Sequence, residues 1–135
     1  MLYGDEHVRR YEETNGEVGH IWERGAPCLI LTTKGRKTGE DRKFPLIYQE
    51  HDGSYVVVAS KGGDPNHPGW YLNLLANPEA QIQVGPGRFT VRARTASTEE
   101  KAELWPRMVE VWPDYDEYQR KTDRDIPVVI LDKVS

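Results

Sequence analysis

Between Lys34 and Lys43 the chain reads KGRKTGEDRK, where five cations (Lys34, Arg36, Lys37, Arg42, Lys43) meet only Glu40 and Asp41. Gly35 and Gly39 bracket a tight turn, on which the backbone N–H groups around Arg36, Lys37 and Thr38 can converge on an anion. Arginine adds bidentate hydrogen bonds to phosphate or carboxylate, and lysine adds a point charge. A solvated hairpin tip has the same composition, and the residues alone leave both readings open. A second segment, Ser60-Lys61-Gly62-Gly63, follows an apolar run and precedes a loop rich in proline and glycine. Its glycines let backbone approach a ligand closely, with Ser60 and Lys61 as hydrogen-bonding groups, or simply serve a strand end that needs positive φ. The segment is no Walker loop, and the chain has no GxGxxG. The third segment is aromatic: Trp105, Trp112, Tyr115 and Tyr118, followed by Lys121, Arg124 and Asp125. The two tryptophans are spaced to share a helix face in the core, whereas two phenols in so polar a stretch suit a pocket mouth or open surface.

Familiar catalytic sets are missing. His7, His20, His51 and His67 show no HExxH or paired-ligand spacing, so no metal is expected. Cys28 lies inside an apolar run, a setting that raises a thiol's pKa and suits the core. No serine sits in a GxSxG elbow. If the protein is an enzyme, a bound cofactor breaks the bonds and the chain holds it.

The elements that must position these segments read as mainly β with inserted α. Strands are expected at CLILTT, through Phe44, Leu46 and Tyr48, at Ser54–Ala59, Ala80–Val84, Arg88–Thr95 and Pro127–Leu131. His51-Asp52-Gly53 marks a hairpin turn. Short helices are expected over Trp70–Asn77 and after Ser97, where Glu100 completes a capping box, with a bend near Pro106. Asp5 to Glu23 carries a loosely helical stripe (Val8, Tyr11, Val18, Ile21, Trp22) that Asn15-Gly16 interrupts, predicting two helical pieces. Strands joined by hairpins at this size imply a closed or half-closed antiparallel barrel, though periodicity does not give the strand order.

The 135 residues predict one domain, 1–135. A net charge of −4 argues against bulk nucleic-acid binding. No apolar run is long enough to cross a bilayer, the N-terminus lacks the apolar core of a secretory signal, and the lone cysteine fits a cytoplasmic location.

The runs LILTTKGRKTGEDRKFPLIY, YVVVASKGG, WYLNLLANPEAQIQVG, and WP followed by YDEYQRKTDRDIPVVIL resemble the deazaflavin-dependent nitroreductase family of actinobacteria, over roughly Ala26 to Asp132. The resemblance implies a split β-barrel of the FMN-binding kind. It also implies an oxidoreductase that passes a hydride from reduced coenzyme F420 to a quinone or nitroaromatic acceptor. By the same resemblance Arg36, Lys37, Thr38 and Arg42 hold the phosphodiester and oligoglutamate tail, Pro45 and Leu46 run beside the ring, and Ser60, Lys61 and Gly62 contact the ring or its linker. Trp70, Trp112, Tyr115 and Tyr118 then fall in the acceptor pocket, with Tyr115, Tyr118 or Ser60 as hydrogen-bonding or proton-relay groups. Trp112 stands where a family member has tyrosine, so a narrower pocket that disfavours nitroimidazoles is expected. Residues 1–25 are expected as a lid in preference to a support resting on the inner face of a membrane. An FMN-dependent oxidoreductase and a non-catalytic deazaflavin-binding protein are the alternatives, and the resemblance implies no oligomeric state.

Overall fold

The computed structural model describes residues 2–134. Helix α1 (Gly4–Glu13) leads through turns to strand β1 (Cys28–Lys34), then β2 (Asp41–Ile47), β3 (Gln49–His51) and β4 (Ser54–Val58). Helix α2 (Gly69–Ala76), the hairpin β5 (Glu79–Val84) and β6 (Gly87–Thr95), helices α3 (Thr98–Val111) and α4 (Asp114–Lys121), and strand β7 (Val128–Lys133) complete the chain. All seven strands form one antiparallel sheet in the order β2-β1-β5-β6-β7-β4-β3. The two end strands are consecutive in the chain, separated only by Tyr48. The sheet therefore curls until its ends meet through a covalent link, with no ladder between β2 and β4, which is the split of the barrel.

Strand alternation sorts the apolar side chains into two cores. Leu29, Leu31, Tyr55, Val57, Ile82, Val91, Val129 and Leu131 fill the barrel, together with Trp70, Tyr71 and Leu74 from α2. Val56, Val58, Val128 and Ile130 point the other way, against Leu104 and Met108 of α3 and Tyr115 of α4. Strands β4 and β7 are thus buried on both faces, which explains why their sequences run apolar without alternation. The hairpin and cap expectations hold. Asp52 and Gly53 take φ of 51° and 80°, and Ser97 and Glu100 form the reciprocal capping box.

Two expectations need correction. Only the first half of the N-terminal segment is helical, because Asn15, Gly16 and Gly19 adopt φ of 51°, 86° and 102° and turn the chain back on itself. A side chain at Gly16 would run into the Gly85 backbone, so that contact requires a residue without a Cβ. Trp105 and Trp112 do not share a helix face: Trp112 is the C-cap of α3, beyond its last turn and outside helical backbone.

Helix α1 packs on the barrel through Val8 and Tyr11 against Ile30, and the Tyr11 phenol adds two hydrogen bonds. The fully buried Tyr11 hydroxyl donates to the Cys28 carbonyl (2.9 Å) and accepts from the Gly85 N–H (2.7 Å). Tyr11→Phe leaves that buried N–H unsatisfied, and should cost about 1–3 kcal/mol. Urea unfolding would show a lowered midpoint at an unchanged slope. An unchanged midpoint would mean that the bond is not holding the helix.

Candidate functional site

The split of the barrel opens into a pocket of about 440 Å³. Phe44, Pro45, Leu46 and Ile47 of β2 form one wall, and Val58 of β4 with Ser60, Lys61 and Gly62 forms another. Trp70 comes from α2, and Trp112, Tyr115 and Tyr118 from the α3–α4 corner. Leu2, Tyr3, Gly4 and His7 close it from the N-terminal side with Trp22. The lining is mostly apolar with a few polar atoms, the usual composition of a site for a planar organic ligand.

Past Phe44 a second cavity of about 270 Å³ is lined by Gly35, Arg36, Lys37, Thr38, Arg42, Gly69 and Asn73. The turn that carries these cations is docked onto α2 by one buried amide. Asn73 Oδ1 accepts from the Arg36 N–H (3.2 Å) and from Arg36 Nη1 (2.8 Å), while its Nδ2 donates to Thr33 Oγ1 (3.0 Å). The positive patch is narrower than the sequence suggests. Lys34 pairs with Asp41 and Lys43 with Glu12, both at 2.5 Å, whereas Arg42 reaches Glu40 only at 4.0 Å. Neither Arg36 nor Lys37 has a carboxylate partner among the described residues, so their charge is free for an anion.

The loop after β4 is shaped for hydrogen bonding into the pocket. Ser60 is right-handed (φ −80°, ψ −40°), and Lys61, Gly62 and Gly63 follow with φ of 47°, 64° and 85°. A right-handed residue followed by a left-handed one turns successive N–H groups toward one point, a concavity that suits an electronegative atom. Lys61 holds this conformation without being glycine, a strained state that needs outside support. Arg124 provides it from behind, donating to the carbonyls of Ser60 (2.7 Å), Asp64 (2.8 Å) and Ala59 (3.2 Å). Its Nη1 also donates to His67 Nδ1 (3.1 Å), which must therefore carry the lone pair. Burial, and then the Arg124 charge, hold the His67 pKa below its usual value. The contact is intact above the ordinary imidazole range and is lost as pH falls through the lowered value. On the far side the loop is wedged against α4, where a Cβ on Gly63 would lie 2.7 Å from the Tyr118 carbonyl oxygen.

Tyr115, expected near a pocket mouth or the surface, is 5% exposed and sits at the pocket's base. Burial raises its pKa strongly, so the phenol stays protonated, and its hydroxyl makes no hydrogen bond among the described residues. Tyr118 accepts from Trp112 Nε1 (3.4 Å), which leaves its own O–H free to donate. Trp112 is stacked between Trp22 (5.4 Å between rings) and the Arg24 guanidinium (3.9 Å). Cys28 is core, as expected, and also touches the pocket, with burial pushing its thiol up to about 12.

Every site residue expected from the sequence therefore lines one of two adjoining cavities. Sequence reading missed His7, Trp22, Phe44, Asn73 and Arg124. The first three could not be assigned without knowing that α1 and β2 flank the split. Asn73 and Arg124 act through hydrogen bonds to residues more than 30 positions away, which leave no local pattern. From the N-terminal segment, Leu2, Tyr3, Gly4 and His7 form a wall of the pocket.

Comparison with known proteins gives the same picture at the level of the whole chain. The family described as F420H(2)-dependent quinone reductase matches residues 4–133. An F420H(2)-dependent quinone reductase of Mycobacterium tuberculosis strain H37Rv is 44% identical over 128 residues, 93% of this chain and 86% of the relative. A solved structure of an F420-H2 dependent reductase (FDR-A) is 46% identical with a TM-score of 0.74, covering 84% of this chain and 98% of that one. Another, described as a domain-swapped dimer, is 43% identical with a TM-score of 0.75, covering 93% and 96%.

If Arg124 supports the strained loop, Arg124→Ala should speed amide exchange at residues 60–64 while leaving the β5–β6 hairpin protected. Unchanged exchange at those amides would show that the loop holds its shape without the clamp.

Proposed function

This chain belongs to the F420H(2)-dependent quinone reductase family and is an F420-dependent oxidoreductase, and we propose that it transfers a hydride from reduced F420 to a quinone held in the apolar pocket. The observation that carries this reading is the pairing of an apolar cavity with a separate groove whose Arg36 and Lys37 lack acidic partners among the described residues. A deazaflavin ring with an anionic tail needs both parts, and the donor set fits it: apolar walls for the ring, cations and Thr38 for the phosphodiester and glutamates. FMN, with a single phosphate, leaves much of the groove unused.

When bound, reduced F420 supplies a hydride in one two-electron step, so the chain's task is placement and electrostatics. Pro45 and Leu46 offer a flat apolar wall, and Lys61 and Gly62 present N–H groups to the ring's polar edge. Trp70 and Trp112 bound the acceptor's place and keep water from it. The O–H groups of Tyr115, Tyr118 and Ser60 stabilise negative charge on the acceptor oxygen as it develops. Trp112, stacked on Trp22 and under Arg24, limits the width available, which disfavours nitroimidazoles.

Titration with F420 and with FMN, each followed by ligand fluorescence, tests the cofactor. Saturable binding of F420, weakened at least tenfold by Arg36→Ala with Lys37→Ala, is expected, with FMN bound poorly. Preferential binding of FMN would overturn the reading of the groove. Loss of the hydroxyl in Tyr115→Phe or Tyr118→Phe should lower quinone reduction by about 10²-fold, the scale of one lost donor to a developing oxyanion. Full activity in both variants would remove the phenols from the mechanism.

A further inference from the structure

We propose that His7 is the proton donor to the quinone, a catalytic role that rests on the reading of the pocket as a quinone reductase site. A quinone that receives a hydride gains two electrons and one proton and becomes a hydroquinone monoanion. One more proton on its oxygen completes the product. A pocket group that releases a proton near neutral pH would supply it without waiting for solvent.

The titratable groups facing the pocket are few. Tyr3 lies just before α1, which carries His7, Cys28 comes from β1, Lys61 from the loop after β4, and Tyr115 and Tyr118 from α4. Tyr11 lies behind His7, its ring centre 6.4 Å away, with its hydroxyl committed to the Cys28 carbonyl. No carboxylate forms a salt bridge with His7 among the described residues. Thiol, ammonium and phenol all hold their protons near neutrality, and burial pushes the Cys28 thiol and the Tyr115 phenol further from release. Imidazole is the side-chain type that ordinarily exchanges a proton between pH 5 and 8.

The geometry equips His7 for the task. The residue is 2% exposed, yet it lines the pocket. Its Nε2 lies 2.8 Å from the Gly19 carbonyl oxygen, which can only accept, so Nε2 carries the proton. Nδ1 is then the position that gains and loses one. It makes no hydrogen bond among the described residues, yet the only sealed and unpartnered side-chain atom among them is Gln83 Oε1. Nδ1 is therefore not sealed off, and His7 is a residue of the pocket wall. Gly19, at φ 102°, permits the seat, because a Cβ there would lie 2.9 Å from the imidazole Cδ2. The ring also stacks on Trp22, with centres 6.2 Å apart, which fixes its plane.

In the step, the Nδ1–H bond of the imidazolium breaks as the O–H bond of the hydroquinone forms, with both electrons already on the quinone from reduced F420. The imidazole left behind keeps its Nε2 proton on Gly19 and takes another at Nδ1 from water after the product leaves. The carbonyl of Gly19 orients the ring through its Nε2–H before and after transfer, as a second partner does for other catalytic histidines.

The test is single-turnover oxidation of bound, reduced F420 by a soluble benzoquinone across pH, with His7→Gln beside wild type. Wild type should slow as pH rises, and His7→Gln should be slower by about 10²-fold with that pH dependence lost. Its affinity for oxidised F420 should stay within about threefold of wild type. An unchanged pH profile in the variant, with quinone reduction intact, overturns the role of His7 and leaves the quinone reductase reading standing. A wild type that binds F420 but reduces no quinone overturns both. Should His7→Gln fail to fold, nitrogen NMR of the wild-type histidines decides: the proposal requires neutral His7 to be the Nε2–H tautomer with an Nδ1 signal that moves when a quinone is added. A Nδ1–H tautomer, or an unmoved signal, overturns it.

Discussion

The covalent continuity of β2 and β3 through Tyr48 is the constraint from which the rest of the architecture follows. A sheet of seven strands has two edges, and here one extended run, Asp41 to His51, supplies both. Its first half pairs with β1 and its second half with β4, so the sheet is forced into a barrel whose seam is a chain rather than a ladder. The seam cannot be hydrogen-bonded along its length, because the strand leaves one neighbour to reach the other. A barrel closed in this way must carry a gap beside the crossing point. The gap is the pocket, and Phe44 to Ile47 line it because they lie just before the crossing.

A second consequence concerns the helices. Because β4 and β7 run apolar on both faces, their outer face needs a cover, and α3 with α4 provides it. The cover ends at the gap, and its corner brings Trp112, Tyr115 and Tyr118 there. The loop that leaves β4 at the same place is held in left-handed backbone by Arg124, which lies in the connection from α4 to β7. Support for the pocket is thus drawn from the elements that also close the second core, and the aromatic corner and the polar loop are fixed to each other as well as to the barrel.

How much of this was legible in the sequence depended on the range of the interaction. Asp52-Gly53, Gly85-Pro86-Gly87 and Ser97 with Glu100 are local chemistry, and the hairpins and the cap appear where those residues predict them. The cation-bearing turn was legible as a turn, but not its real charge, because Glu12 neutralises Lys43 from a helix 31 residues away. The second N-terminal helix failed for a related reason. Val18, Ile21 and Trp22 have the spacing of a helix face, yet the left-handed backbone at Asn15, Gly16 and Gly19 outweighs it, and Ile21 ends in a bridge to Pro27. His7 has its meaning only once Tyr11, one turn on, has docked the helix beside the gap. Strand order was illegible for the same reason that it matters: closure is decided by which distant strands meet, and periodicity is silent on that.

The distribution of indoles has a consequence for how the protein reports on itself. Trp22, Trp70 and Trp112 line the pocket, and Trp105 is the only one of the four tryptophans placed elsewhere. Emission and near-ultraviolet dichroism are therefore weighted toward one cavity rather than averaged over the fold. A change there reads out the packing around Trp22 and the α3–α4 corner before it reads out the barrel, whose interior is filled by aliphatic side chains, tyrosines and Trp70. Far-ultraviolet dichroism, which follows the backbone, samples the whole molecule. Where the two signals part company along a denaturation curve, the site has loosened while the sheet persists, so the chain carries its own internal test of whether it unfolds as one unit.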